Sequence, residues 1–258
     1  MPKINLPNVT LNYELAGPEN APVLVFAHSL GLNLKMWDPQ VDSLSLKYRI
    51  LRYDMRGHGS SSTPPGPYTI EQLGNDAINL LDALHLDEVA FCGLSLGGAT
   101  AQWLALHAPS RLNKLILSNT AAKIGTQEIW AARIADITEH GLQFIADGSV
   151  HRWFTPGFVA SNPAVTTRFQ QMLLSNDPAG YIANCAVVRD VDLRDSINQI
   201  RTPVCIIAGD QDPVTPPEAA HFMQSKIPNS QLVTLPAAHV SNVEAAGLFN
   251  AAVSNFLG

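Results

Sequence analysis

A mostly parallel β-sheet flanked by helices, with a helical insertion late in the chain, is the architecture predicted for these 258 residues. Three observations predict it. Short apolar runs bounded by Gly, Pro or Asn alternate with longer segments of helical period. The alternation stops after Asn119 and resumes only at "PVCIIAG". One serine, Ser95, stands between two glycines where an apolar run gives way to a helix.

The first element is an antiparallel hairpin at a sheet edge, because "INLPNVTLNYELAG" shows two alternating stretches around Pro7 and Asn8. The runs "PVLVFAH" (22–28), "YRILRYD" (48–54), "EVAFCG" (88–93), "KLILSN" (114–119) and "PVCIIAG" (203–209) then read as strands buried on both faces. Before the third of them, Ile70, Leu73, Ala77, Leu80, Leu81 and Leu84 recur at three- and four-residue spacing, which predicts a helix linking two strands. From about Ala122 to Gln199 the chain reads as helical pieces broken at Gly141, Gly148, Pro156, Pro163 and Pro178. Such an insertion would sit over one end of the sheet as a cap. The expected organisation is a core of 1–121 and 200–258 with the cap, 122–199, inserted in it.

Composition narrows the function classes. Apolar residues make up 46% and charged ones 15%, a globular balance. The net charge of −6 comes with no basic block, so no nucleic-acid partner is expected. No segment approaches the roughly 18 apolar residues of a membrane span, and the N-terminal stretch lacks the apolar run of a secretion signal. No membrane partner is expected, and a cytoplasmic location is. Cys92, Cys185 and Cys205 are odd in number and irregularly spaced, and are assigned neither a disulfide nor a metal.

The chemistry centres on "FCGLSLGGAT", residues 91–100. Ser95 follows a strand directly and precedes the helical "GGATAQWLALHA". A corner that sharp brings backbone too close for a Cβ, which is the reason for Gly93 and Gly97. It leaves a hydroxyl standing clear at the carboxyl end of the sheet, beside the Leu96 N–H at a helix start. A serine hydroxyl needs a base, itself held by an acid. Downstream, "DQDPVTPP" carries Asp210 and Asp212 on the loop leaving a strand, and "LVTLPAAHVSNVE" places His239 just past another. Asp212 is preferred; Asp210 is the runner-up, with loop capping as its other role. The loop after "PVLVFAH" offers a second oxyanion donor, the Leu30 N–H. "DMRGHGSSS" reads as a rigid loop in which Asp54 and Arg56 bond backbone and each other, with His58 as its organiser.

Taken together, "AHSLG", "YDMRGHGSS", "GLSLGG", "GDQDPVTP" and "AAHVSNVE" resemble the α/β-hydrolase family over nearly the whole chain. The resemblance implies the α/β-hydrolase fold, a mostly parallel eight-stranded sheet flanked by helices with a helical cap. It places Ser95, Asp212 and His239 at the nucleophile, acid and base positions. The sequence departs from the family in carrying Ser29 after His28, where many members have Gly.

The cap stretches "SNTAAKIG", "HRWFTPGF" and "GYIANCAVVRDVDLR" are similar to the 3-oxoadipate enol-lactonase branch of that family. This implies opening of a small enol-lactone ring in bacterial catabolism of aromatic compounds, with no cofactor or metal. The lactone's carboxylate calls for a forked cation. Arg152 in "HRWF" is the first candidate, with Arg133 and Arg189 behind it and Trp153 as a pocket wall. A general carboxylesterase, a cofactor-free perhydrolase and a carbon–carbon bond hydrolase share the triad. A non-turnover ligand receptor is the reading from another class.

Overall fold

The computed structural model describes residues 2–258; Met1, the first residue of the predicted core segment, lies outside the described residues. Its single sheet contains β1 (Lys3–Leu6), β2 (Val9–Ala16), β3 (Val23–Ala27), β4 (Arg49–Tyr53), β5 (Val89–Leu94), β6 (Leu112–Ser118), β7 (Val204–Gly209) and β8 (Ser230–Leu235). The strand order is β1-β2-β4-β3-β5-β6-β7-β8, so the eight-stranded sheet expected from the sequence is the one observed. β1 and β2 form the expected edge hairpin, closing at Leu6↔Val9. β2 pairs antiparallel with β4, and every later pairing is parallel. The central strands β5 and β7 are buried along their whole length, which is why both read as unbroken apolar runs.

Helices α1 (Asp38–Leu44), α2 (Ile70–Ala83) and α3 (Leu96–His107) come from the first half of the chain. α2 starts where the sequence pattern starts because Thr69 and Gln72 form a reciprocal capping box. Its Leu73, Ala77, Leu80 and Leu81 are buried as the spacing predicts. α3 is buried almost throughout and packs on β3, β5 and β6, which fixes the start of that helix relative to the strand ends.

Between β6 and β7 the chain forms only helices: α4 (Gln127–His140), α5 (Gln143–Trp153), α6 (Pro156–Ser161), α7 (Pro163–Leu174), α8 (Pro178–Asp190) and a short 3-10 turn at 197–199. Pro156, Pro163 and Pro178 each open a helix, the one position where the missing N–H costs nothing. Gly141 caps α4 with a φ of 72°. Gly148 does not break the chain as expected. α5 runs straight through it, since an exposed glycine costs a helix only about 1 kcal/mol, less than the packing of its neighbours Ile145, Ser149 and Val150 supplies.

After β7 come α9 (Pro217–Lys226), α10 (Ser241–Glu244) and α11 (Ala246–Leu257). Trp37 stacks on Phe26 of β3 with ring centroids 4.5 Å apart and meets Phe249 of α11 at 6.0 Å, locking the loop after β3 against the closing helix. Among the described residues, no helix is long and apolar enough to cross a membrane.

Candidate active site

Ser95 lies between β5 and α3 with φ 57° and ψ −113°, a left-handed conformation that costs a non-glycine residue roughly 1–3 kcal/mol. The surrounding backbone holds it there. Ser95 N–H donates to Ser118 O at 3.1 Å, Gly97 N–H to His28 O at 3.1 Å, and the Thr120 hydroxyl to Ser95 O at 2.8 Å. A Cβ on Gly93 would lie 2.1 Å from Gly97 O, and one on Gly97 would lie 2.2 Å from Ala27 O. The two glycines are therefore required by contact between backbones, as the sequence pattern implies.

His239 is buried on the loop after β8, with Nδ1 2.8 Å from Asp212 Oδ2. Nδ1 is thus committed, and Nε2 is the nitrogen left for chemistry. The Asp212 carboxylate also accepts from Asn119 Nδ2 (3.0 Å), the Thr215 hydroxyl (2.7 Å), and the backbone N–H groups of Val214 (2.8 Å) and Thr215 (3.1 Å). Burial by itself would raise its pKa; the His239 charge and hydrogen bond, with those from Asn119 and Thr215, prevail and hold it at about 2. Asp210, the runner-up, is exposed and hydrogen-bonds Gln211, away from the imidazole.

Ser95 and His239 line one cavity of about 230 Å³. Among the described residues no hydrogen bond joins the Ser95 hydroxyl to the imidazole in this conformation; such bonds are often long without substrate and tighten with it.

The two N–H groups expected to hold an oxyanion are the leftover donors of their loops. Ser29 N–H meets Met36 Sδ at 3.4 Å and Gly31 N–H donates to His58 Nε2 at 2.9 Å. Leu30 N–H between them has no partner among the described residues, and neither has Leu96 N–H at the start of α3. Two buried histidines set this loop. His28 bonds Ser29 O through Nδ1 (2.8 Å) and accepts from Met55 N–H through Nε2 (2.9 Å). Burial pulls the pKa of His28 down to about 4 and, with His28 as its neighbour, that of His58 to about 3, so both stay neutral acceptors.

One expectation for the "DMRGHGSSS" loop is corrected. Asp54 does bond backbone, accepting from Leu34 N–H and Ser60 N–H, both at 2.8 Å. Arg56, however, pairs with Asp76 of α2 through two bonds of 2.6 Å instead of with Asp54. The fork of a guanidinium needs both oxygens of a carboxylate, and those of Asp54 are already taken.

Arg133 of α4, Arg152 and Trp153 of α5 all line the same cavity. Arg133 Nη1 donates to the Tyr181 hydroxyl at 2.9 Å and its guanidinium lies over the Trp130 ring; Arg152 Nη2 donates to the Ser149 hydroxyl at 3.2 Å. Burial, then the nearby Arg133, holds Arg152 below the ordinary guanidinium range. No acidic residue lines the cavity among the described residues. Arg189 is elsewhere: it is held by Asp190 at 2.8 Å and lines a separate surface groove.

Four contributors escaped the sequence reading: Tyr181, Ser149, Trp130 and Asn119. Asn119 carried a usable signal, a polar residue closing a buried strand, and here it has a φ of 40° and ties Asp212 to Ala238 O. The other three are ordinary residues of helical stretches, with no local pattern to mark them.

Comparison with known proteins bears on this arrangement. A sequence profile described as alpha/beta hydrolase fold matches residues 22–246. The chain is 46% identical over 246 residues to 3-oxoadipate enol-lactonase 2 of Acinetobacter baylyi, spanning 95% of this chain and 92% of that protein. It is 38% identical to 3-oxoadipate enol-lactonase 1 of the same organism, spanning 96% and 93%. The crystal structure of an enol-lactonase from Burkholderia xenovorans superposes with a TM-score of 0.98 at 38% identity, covering 99% of both chains.

Proposed function

The chain belongs to the α/β-hydrolase family, and from that premise we propose that it opens the ring of 3-oxoadipate enol-lactone to give 3-oxoadipate, with Ser95 as nucleophile, His239 as base and Asp212 as acid. The observation that carries the substrate class is the cavity itself: Ser95 and His239 line it together with Arg133 and Arg152, and no acidic residue lines it among the described residues. At about 230 Å³ it falls below the roughly 300–1,000 Å³ of pockets for drug-sized molecules, which suits a small anionic lactone.

The reaction follows from the geometry. Ser95 Oγ attacks the ring carbonyl as His239 Nε2 takes its proton, and the carbonyl oxygen, now negative, is held by Leu30 and Leu96 N–H. Removing one such donor typically costs about 3–4 kcal/mol in the transition state. The tetrahedral intermediate collapses by breaking the bond to the ring oxygen, which receives the proton from His239 and leaves as an enol that becomes the ketone. The other end of the molecule stays attached to Ser95 as an ester. Water, deprotonated by His239, then attacks the ester carbonyl; the bond to Ser95 Oγ breaks as His239 returns the proton to Oγ, and the acid released ionises to a carboxylate. Asp212 keeps Nδ1 protonated throughout, and its lowered pKa, held down against burial by the His239 charge and the bonds from His239, Asn119 and Thr215, favours its staying a carboxylate. Arg152 and Arg133 hold the carboxylate arm, with Trp153 walling the ring.

The test is the loss of enol-lactone absorbance with wild type and Ser95→Ala. Wild type should turn over repeatedly, and the variant should lose on the order of 10⁶-fold in kcat. A wild type that ignores the lactone but cleaves neutral aryl esters rapidly would sink the lactone reading and leave a general carboxylesterase.

A further inference from the structure

His239 sits beyond the end of β8 at Leu235, where the ladder to β7 has already stopped. Its place is held by its neighbours. On one side, Ala238 N–H donates to Glu244 Oε2 at 2.9 Å; on the other, Val240 N–H donates to Trp153 O at 2.9 Å. Both bonds lead to the same short piece of the helical insertion. The Glu244 carboxylate that receives Ala238 also receives the Thr155 N–H, at 3.2 and 3.3 Å to its two oxygens, and the Thr155 hydroxyl. Thr155 lies two residues beyond Trp153, which with Arg152 walls the cavity.

We propose that Glu244 is a positioning residue: its carboxylate clamps the loop carrying His239 to segment 153–155, so that the place of the imidazole is set by the wall that holds the substrate. The charge type matters. All three groups donate to Glu244, and two of them, the Ala238 and Thr155 N–H groups, can do nothing else, so both carboxylate oxygens face an N–H. A glutamine there would turn an NH2 group against one of these N–H groups, and the clamp would loosen on that side. Because a displacement of about 1 Å can cost on the order of 100-fold in rate, a clamp one residue from the base acts on kcat for an ester too small to use the wall at residues 152–153. The inference rests on His239 being the base and is independent of which ester is cleaved.

The experiment uses p-nitrophenyl acetate, a neutral ester too short to need Arg152, with the full-length wild type, Glu244→Gln, Glu244→Ala and Thr155→Val. Phosphonylation of Ser95 by an organophosphonate is a second readout of the same base. Glu244→Gln should lose about tenfold in kcat with KM within twofold, and phosphonylation should slow by the same factor. Glu244→Ala should lose more. Thr155→Val, which spares the Ala238 bond, should lose two- to threefold. A folded Glu244→Gln that keeps kcat within twofold, or whose loss lies in KM alone while phosphonylation is unchanged, overturns the proposal. Should neither Glu244 variant fold, an unchanged kcat in Thr155→Val overturns it equally. Failure of the lactone reading would appear separately, as a wild type active on the acetate and inert toward the lactone.

Discussion

On the sheet side of the cavity, Asp212 accepts five hydrogen bonds, from His239, Asn119, Val214 and twice from Thr215, and Ser95 is fixed by backbone that has no room to move. On the helical side, Arg133 and Arg152 are each held, among the described residues, by the hydrogen bond to one hydroxyl, that of Tyr181 or Ser149. The difference teaches how labour is divided in this molecule. Groups that must meet a reacting atom within a fraction of an ångström are over-determined, because small displacements are costly there. The groups proposed to hold a flexible carboxylate arm are lightly restrained, because a forked cation tolerates some adjustment and its remaining N–H groups are left for a substrate.

The sharpest way to break this contrast is at the over-determined end. Asp212→Asn keeps the shape of the acid but no longer enforces the tautomer of His239, and kcat should fall on the order of 10⁴-fold with KM little changed. A loss below tenfold would show that the dense bonding around residue 212 serves folding alone.

Next in size is acidification. His28 and His58 have an ordinary value of 6.5 when the chain is unfolded and values of about 4 and about 3 when folded. Between roughly pH 6.5 and 4 the unfolded chain therefore binds protons that the folded one does not. Stability falls as pH falls through that window, by about 1.4 kcal/mol per pH unit for each histidine fully protonated only when unfolded. Urea midpoints measured from pH 7 to 4.5 should show this decline, and a flat profile would contradict the neutral-histidine loop. Asp212 works in the same direction but far lower: its contribution is present above the ordinary carboxylate value and is lost only as pH drops toward about 2.

The lightly restrained end should give smaller effects, and in KM. Arg152→Ala removes a charge-assisted contact of about 1.5–3 kcal/mol, so KM for the lactone should rise on the order of 10- to 100-fold while turnover of a neutral aryl ester is unaffected. An unchanged lactone KM would remove Arg152 from the binding role. Smallest is Tyr181→Phe, which takes away the hydroxyl that steadies Arg133: about 1 kcal/mol, or roughly fivefold in KM. A larger effect than that of Arg152→Ala would reverse the assignment of the principal cation to Arg133.

Much of the sheet side was legible in the linear sequence. The corner at 93–97 is legible because Gly93, Ser95 and Gly97 mark it within one short stretch, although the backbone that demands Gly97 belongs to Ala27 and His28 at the end of β3. The buried strands announce themselves because both faces of a parallel sheet are covered, leaving no polar alternation. Asp212 and His239 were legible as loop residues following strands. Features set by packing between distant elements were less legible. Arg56 was paired with the wrong acid because Asp54 is near in sequence, whereas Asp76 comes near only when α2 packs beside the loop. Gly148 was read as a break, since its exposure within α5 is a property of how that helix sits and not of the residue.

By itself, the sequence determined the succession of strands and helices and the glycine-flanked serine corner, because apolar runs, helical periods and a Gly-x-Ser-x-Gly turn are patterns of short stretches; Asp212 and His239 it offered as candidates on loops that follow strands. Only the tertiary structure decided which arginines share the cavity, that Tyr181 and Ser149 hold them, and that Glu244 joins the His239 loop to segment 153–155. Those contacts join side chains from different helices. Their meeting depends on how helices pack, a sum over many weak interactions that no short stretch of residues encodes.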